Sequence, residues 1–261
     1  MVRILLKLSA AMTAGAAVVA SLLMSPFAAN AAEIKVLSSV ALTSALDELA
    51  PIFERTSGNK LVIDYGVAVQ LRERFLAGET ADVVILTRQL MDDLQKQGKL
   101  ITENLMNVGG TAVAVAVRAG APKLDVSSVD AFKRALLSVK SIVYADPAKG
   151  GASGVYFARV IDRLGLADQL KAKTILVPGA QAAEVVARGE AELGIGQASE
   201  IVPVNGAQLL GPLPGEIASV TVFTAGISAG TKTPEADRAF IQFLAGPIAA
   251  PILKAKGFEP R

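Results

Sequence analysis

The chain has no cysteine, no histidine and no tryptophan, and aromatic residues make up only 5% of its 261 positions. Each absence removes a class of chemistry. Without cysteine there is no disulfide framework, thiol nucleophile or lipid-bearing cysteine at a leader cleavage point. Without histidine there is no Ser-His-Asp triad, haem axial histidine or zinc finger. Charge of one sign is also missing. Twenty-six Lys and Arg against 24 Asp and Glu leave +2, too little for the basic footprint that nucleic acid requires. What the chain has in excess is apolar surface, 52% of residues.

Much of that excess sits at the front. Arg3 and Lys7 precede an uncharged run, Leu8–Ala32, that closes on Pro26 and Ala29-Asn30-Ala31. A basic start, an apolar stretch and a small-x-small site describe an export leader, residues 1–31, cleaved near Ala31. Its removal takes two basic residues and no acidic one, so the remainder carries 24 of each sign. The expected location is the periplasm.

From residue 32 on, strand and helix patterns alternate, with glycine at the helix stops, as in a parallel α/β sheet. Strands are read at 34–38, 60–65, 82–86, 141–144, 174–177 and 192–195. Helices are read at 41–56, 67–77, 89–97, 127–138, 153–164, 180–188, 234–244 and 247–255. Two further strands, 111–117 and 218–225, stand where one α/β set gives way to the other. The economical arrangement is two α/β lobes joined by two crossing strands, with a ligand cleft between them. Lobe 1 comprises 32–110 and 226–261, and lobe 2 comprises 111–225. One continuous doubly wound sheet is the alternative.

Ligands of open α/β sheets sit beyond strand carboxyl ends, against helix N-termini. Reading those junctions gives six candidate binding residues. Ser38 and Ser39 offer hydroxyls before the first helix. Arg88, just after a buried-type strand, offers a guanidinium that forks onto carboxylates. Ser153 and Gly154, in Asp146-Pro147-Ala148-Lys149-Gly150-Gly151-Ala152-Ser153-Gly154, offer a hydroxyl and close backbone approach. Gln197, in Gly194-Ile195-Gly196-Gln197-Ala198-Ser199-Glu200, offers an amide. Glu200 either orients a partner or is solvated. No paired carboxylates stand at a telling spacing and no Asp-rich loop suggests a metal, so no catalytic residue, metal or cofactor is assigned.

The runs VLSSVALTSALDELAPIFE, GVAVQLRERFLAGETADVVILTRQLMDDL, DPAKGGASGVYFARVI and VARGEAELGIGQASEI resemble the molybdate/tungstate-type periplasmic solute-binding proteins of ABC importers. The resemblance implies a type II periplasmic-binding-protein fold and an anion held by hydroxyls and backbone N–H groups. It also locates departures. Hydroxyls expected before LTSAL, after the second strand and after GEAELGI fall at Ala41, Val67-Ala68 and near Gln197. Arg88 stands where the motif is acidic or neutral. A tetrahedral oxyanion loses much of its hydrogen-bond shell here, whereas an organic carboxylate is suited by a guanidinium. The expectation is a monomeric, non-enzymatic binder that carries a small anion, molybdate or tungstate by family and an organic acid by departure, to a membrane permease. A ligand sensor for a membrane receptor and a small periplasmic lyase or isomerase are the alternatives.

Overall fold

A computed structural model describes residues 31–101 and 105–259; the expected leader, residues 1–31, lies outside them except for Ala31. The first half of the chain builds β1 (Glu33–Ser39), α1 (Thr43–Ser57), β2 (Lys60–Gly66), α2 (Ala68–Leu76), β3 (Val83–Thr87) and α3 (Arg88–Lys96). Helix α1 buries Ala45, Leu46, Leu49 and Phe53, one face at helical spacing. It stops at Gly58, whose φ of 77° is the left-handed cap that favours glycine.

Strand β1 lies parallel between β2 and β3, and alternation along it feeds two cores. Ile34, Val36 and Ile85 pack with α1 on one face, while Leu37, Val84 and Leu86 pack with Leu71, Met91 and Leu94 on the other. The chain returns to this half at its end. Helices α9 (Pro234–Leu244) and α10 (Ala249–Ala255) complete the first core, with the Phe53 and Phe240 rings 5.1 Å apart.

The middle of the chain builds α4 (Val129–Ser138), β5 (Ile142–Ala145), α5 (Ala152–Arg163), α6 (Ala167–Lys171), β6 (Thr174–Val177), α7 (Ala182–Ala187), β7 (Leu193–Gln197), α8 (Ala198–Ile201) and β8 (Ala207–Pro212). It has cores of its own. Val113, Val115, Phe132, Phe157, Leu193 and Ile195 share one, and Val143, Val185 and Val186 share another on the opposite sheet face.

Two antiparallel strands join the halves: β4 (Met106–Arg118) and β9 (Val220–Ile227). The first part of β4, Met106–Ala112, pairs with β9, which in turn pairs with β3. Its second part leaves β9: Val113–Ala116 pairs with β7 and Ala114–Arg118 with β8. The hydrogen-bonded order β2-β1-β3-β9-β4-β7-β5-β6, with β8 beside β4, is therefore unbroken. The fold is two α/β lobes with separate cores, joined by two crossing strands.

Three elements differ from the sequence reading. Strand β4 begins at Met106, running through Gly109-Gly110, where the pattern suggests a break. Those glycines are strand residues because another segment presses on them. A Cβ on Gly109 would lie 3.3 Å from Phe258 Cβ and Glu259 O, and the Gly110 N–H donates to Glu259 O at 2.8 Å. Helix α6 is too short for periodicity to reveal, and β8 sits among Gly and Pro residues that read as a loop. None of the described helices is long and apolar enough to cross a membrane.

Candidate functional site

The two halves meet at strand carboxyl ends, and the starts of two helices, α2 and α5, line one cavity there. Helix α2 starts after Val67 and α5 after Gly151, neither with a side-chain cap. Their ladders begin with Leu71 N–H to Val67 O and Val155 N–H to Gly151 O. First-turn N–H groups are left over at both ends, and both macrodipoles present positive charge to the same space. The chain before α1 adds a third such end. Ser39 caps the short turn Val40–Leu42 and accepts from the Ala41 N–H at 3.4 Å.

Between these ends lies an inner cavity of about 20 Å³, room for about one water. Ser39, Val67 and Ala68 line it from the first half, and Ser153, Gln197 and Glu200 from the second. Phe223 of β9 forms its base. Two wider spaces open beside it, about 640 Å³ on the side of Asp47, Glu48, Glu184 and Lys256, and about 360 Å³ on the side of Gln70 and Lys149. Val40 lines all three, so they form one cleft with a narrow floor. The halves are in close contact around it. A Cβ on Gly150 would lie 2.8 Å from Val69 Cβ, and one on Gly257 would lie 2.9 Å from the Ala198 backbone.

Three of the six expected site residues come together in the inner cavity: Ser39, Ser153 and Gln197, exposed by 4%, 3% and 1%. Gln197 Nε2 donates to Thr221 Oγ1 at 2.8 Å.

The other three are placed differently. Ser38 is fully buried, and its hydroxyl donates to Ser39 O at 3.4 Å. Gly154 is buried where α5 crosses β5, with no room for a Cβ against Ala145 O; its glycine serves packing. Arg88 is not among the lining residues. It begins α3, and its Nε donates to Asp92 Oδ1 at 2.7 Å, one helical turn on. Its side chain is 49% exposed, so the guanidinium expected on a ligand instead forms a solvent-facing pair.

Glu200 is the residue the sequence reading left undecided. In the short helix α8 it closes a capping box. Its Oε2 accepts from the Gln197 N–H at 3.0 Å, and the Gln197 side chain reciprocates on the Glu200 backbone. Burial pushes the carboxyl up to about 7, with repulsion from Glu184 adding and the Gln197 N–H opposing. Tyr65 is raised as well, by burial and by donating its hydroxyl to Asp47 at 2.8 Å.

Comparison with known proteins agrees with this architecture and sharpens its chemistry. The bacterial extracellular solute-binding protein profile matches residues 34–259. The chain is 34% identical over 233 residues to the aconitate isomerase of a Pseudomonas species, covering 87% of each chain. It is 27% identical to the Escherichia coli K12 molybdate-binding protein ModA, covering 88% of this chain and 90% of that one. Among solved structures, the Azotobacter vinelandii periplasmic molybdate-binding protein superposes with a TM-score of 0.69 at 21% identity, covering 87% of this chain and 98% of the other. A periplasmic thiamin-binding protein superposes at 0.71 with 16% identity, covering 87% and 83%. The isomerase relative overturns one expectation. A binder without turnover was inferred from the missing histidine, cysteine and paired carboxylates, yet a relative matching almost the whole chain is named as an enzyme. The fold, the matched profile and the full-length relatives lead to one placement: the chain belongs to the bacterial extracellular solute-binding protein family.

Proposed function

We propose that this chain binds an aconitate-class polycarboxylate in its inter-lobe cleft and isomerises it, acting in the periplasm after removal of residues 1–31. The observation that carries this reading is the 34% identity to an aconitate isomerase across 87% of both chains. The cavity's lining supports it. Two uncapped helix ends and the Ser39 and Ser153 hydroxyls are donors for carboxylate oxygens. Ala41, Val67 and Ala68 add no side-chain hydroxyl to enclose a tetrahedral oxyanion. Because the floor holds only about one water, the ligand enters with the lobes parted, hinging where β4 passes from β9 to β7 at Ala112 and Val113.

Delivery of a bound anion to an ABC permease is the second reading, and the ModA relative favours it. One experiment separates the two. Purified mature protein is mixed with trans-aconitate and, separately, with cis-aconitate, and interconversion is followed by proton NMR. A parallel thermal-shift series uses aconitate, citrate and molybdate. A ligand at 100 times its Kd adds about 2.7 kcal/mol of stability. Turnover of aconitate with stabilisation by carboxylates is the expected result. Stabilisation by molybdate alone, with no turnover, overturns the proposal.

A further inference from the structure

Moving the double bond of a propene tricarboxylate needs a proton carrier. A C–H bond breaks on the methylene carbon beside one carboxylate, and the electron pair spreads over the three-carbon unit. A C–H bond then forms on the far carbon, with the double bond shifted. No oxidant, reductant or co-reactant enters, and one group can take and return the proton.

The inner cavity narrows the choice of that group. Of its lining residues only Glu200 titrates; the rest are Ser39, Ser153, Gln197 and residues that are apolar or glycine. Neither serine has a basic partner, since Ser39 Oγ accepts from a backbone N–H and histidine is absent. Glu200 is held in place by its capping box through Oε2, while Oε1 makes no hydrogen bond among the described residues. The residue lines both this cavity and the 640 Å³ space beside it.

We infer that Glu200 is the catalytic residue that removes and returns the proton, with Oε1 facing the substrate carbon; this rests on the polycarboxylate isomerase reading above. The surroundings suit the task. The charged residues that line the 640 Å³ space with Glu200 are Glu184 from α7, Asp47 and Glu48 from α1, and Lys256 beyond α10. Lys256 pairs with Glu48 at 3.0 Å, and Asp47 accepts from Tyr65. Glu184 is left to oppose ionisation of Glu200. A carboxyl that exchanges its proton near neutral pH is matched to general acid–base work at that pH.

The test compares wild type with Glu200→Gln, in which the amide oxygen still accepts from the Gln197 N–H and preserves the capping box. Proton NMR in deuterium oxide reads turnover and deuterium incorporation into aconitate, and thermal shift reads folding and binding. The expected result is a variant that folds and binds aconitate but loses both readouts by at least 100-fold, as removal of a general base requires. Wild-type kcat/KM should rise with pH through a midpoint near 7. Turnover within tenfold of wild type in Glu200→Gln overturns the assignment while leaving the isomerase reading intact. A wild-type protein that binds aconitate without converting it overturns the isomerase reading and this inference with it. A kcat/KM that stays flat from pH 5 to 8 overturns the role of Glu200 even if the variant fails to fold.

Discussion

Gly154 offers a sharp test of how the cleft is built. A Cβ placed there would lie 1.9 Å from Ala145 O and 2.7 Å from Ala145 C. Ordinary contact with a carbonyl oxygen needs roughly 3.4 Å, so in Gly154→Ala the start of α5 must retreat from β5 by about 1.5 Å. Neither side of the contact can swing away, because both are backbone. Retreat loosens Phe157, whose ring lies 5.0 Å from Tyr144 and 6.3 Å from Phe132. Overpacking a rigid site costs about 1–3 kcal/mol, and this overlap belongs at the upper end. At about 3 kcal/mol, a domain of this size melts roughly 6–12 °C lower. The assay is urea unfolding together with a thermal scan. Gly165→Ala serves as the comparison, because that glycine has φ 69° and no atom within 4 Å of its Cβ position. It should lose only about 1 kcal/mol, for the left-handed backbone alone. A Gly154→Ala protein that melts within 2 °C of wild type would refute the argument that backbone contact dictates this glycine.

Three further outcomes follow from the site. Ser153→Ala should leave stability nearly unchanged but weaken carboxylate binding about tenfold, the worth of one hydrogen bond to a charged group; isothermal calorimetry decides. Arg88→Ala should change affinity less than twofold and stability by less than about 0.5 kcal/mol, since an exposed i,i+4 pair is worth little; a tenfold loss of affinity would return Arg88 to the site. Stability should depend on pH through Glu200. The folded state holds its proton more tightly than the unfolded chain, so the contribution is complete below the ordinary carboxyl range and lost as pH rises through about 7. The loss is at most about 3 kcal/mol. Glu200→Gln should therefore gain on wild type between pH 5 and 8, as read from urea midpoints. An unchanged difference would mean that the carboxyl is not desolvated.

Much of the fold could be read without coordinates because strand and helix periods are local. Strand 174–177 and helix 234–244 match β6 and α9 residue for residue, and most other elements shift by one or two positions. Failures came where a distant segment decides the local structure. Gly109 and Gly110 are strand residues because residues 258 and 259 lie against them. The site divides the same way. Ser39, Ser153 and Gln197, expected at strand ends before helix starts, line the inner cavity. Arg88 satisfied the same rule, but its partner four residues on, Asp92, holds it outside the cavity. The sequence does carry a signal at Glu200. Gln197 and Glu200 have the spacing of a capping box directly after a strand, and such a box holds the carboxyl beside the helix start. That burial raises its carboxyl no local pattern could reveal.

The crossing strands also order events during synthesis. Strand β3 is apolar and buried from Val83 to Leu86, and one of its two neighbours is β9, more than 130 residues later. Until that late segment emerges, β3 has an unpaired edge, and the core around Phe53 lacks Phe240, Leu253 and Phe258. The middle lobe is nearly contiguous and can close on itself, whereas the first lobe waits for the end of the chain. A nascent or truncated chain ending before β9 therefore exposes a flat hydrophobic edge of the kind that templates aggregation. Loss of a few dozen C-terminal residues should be far more damaging to solubility than their distance from the cleft suggests.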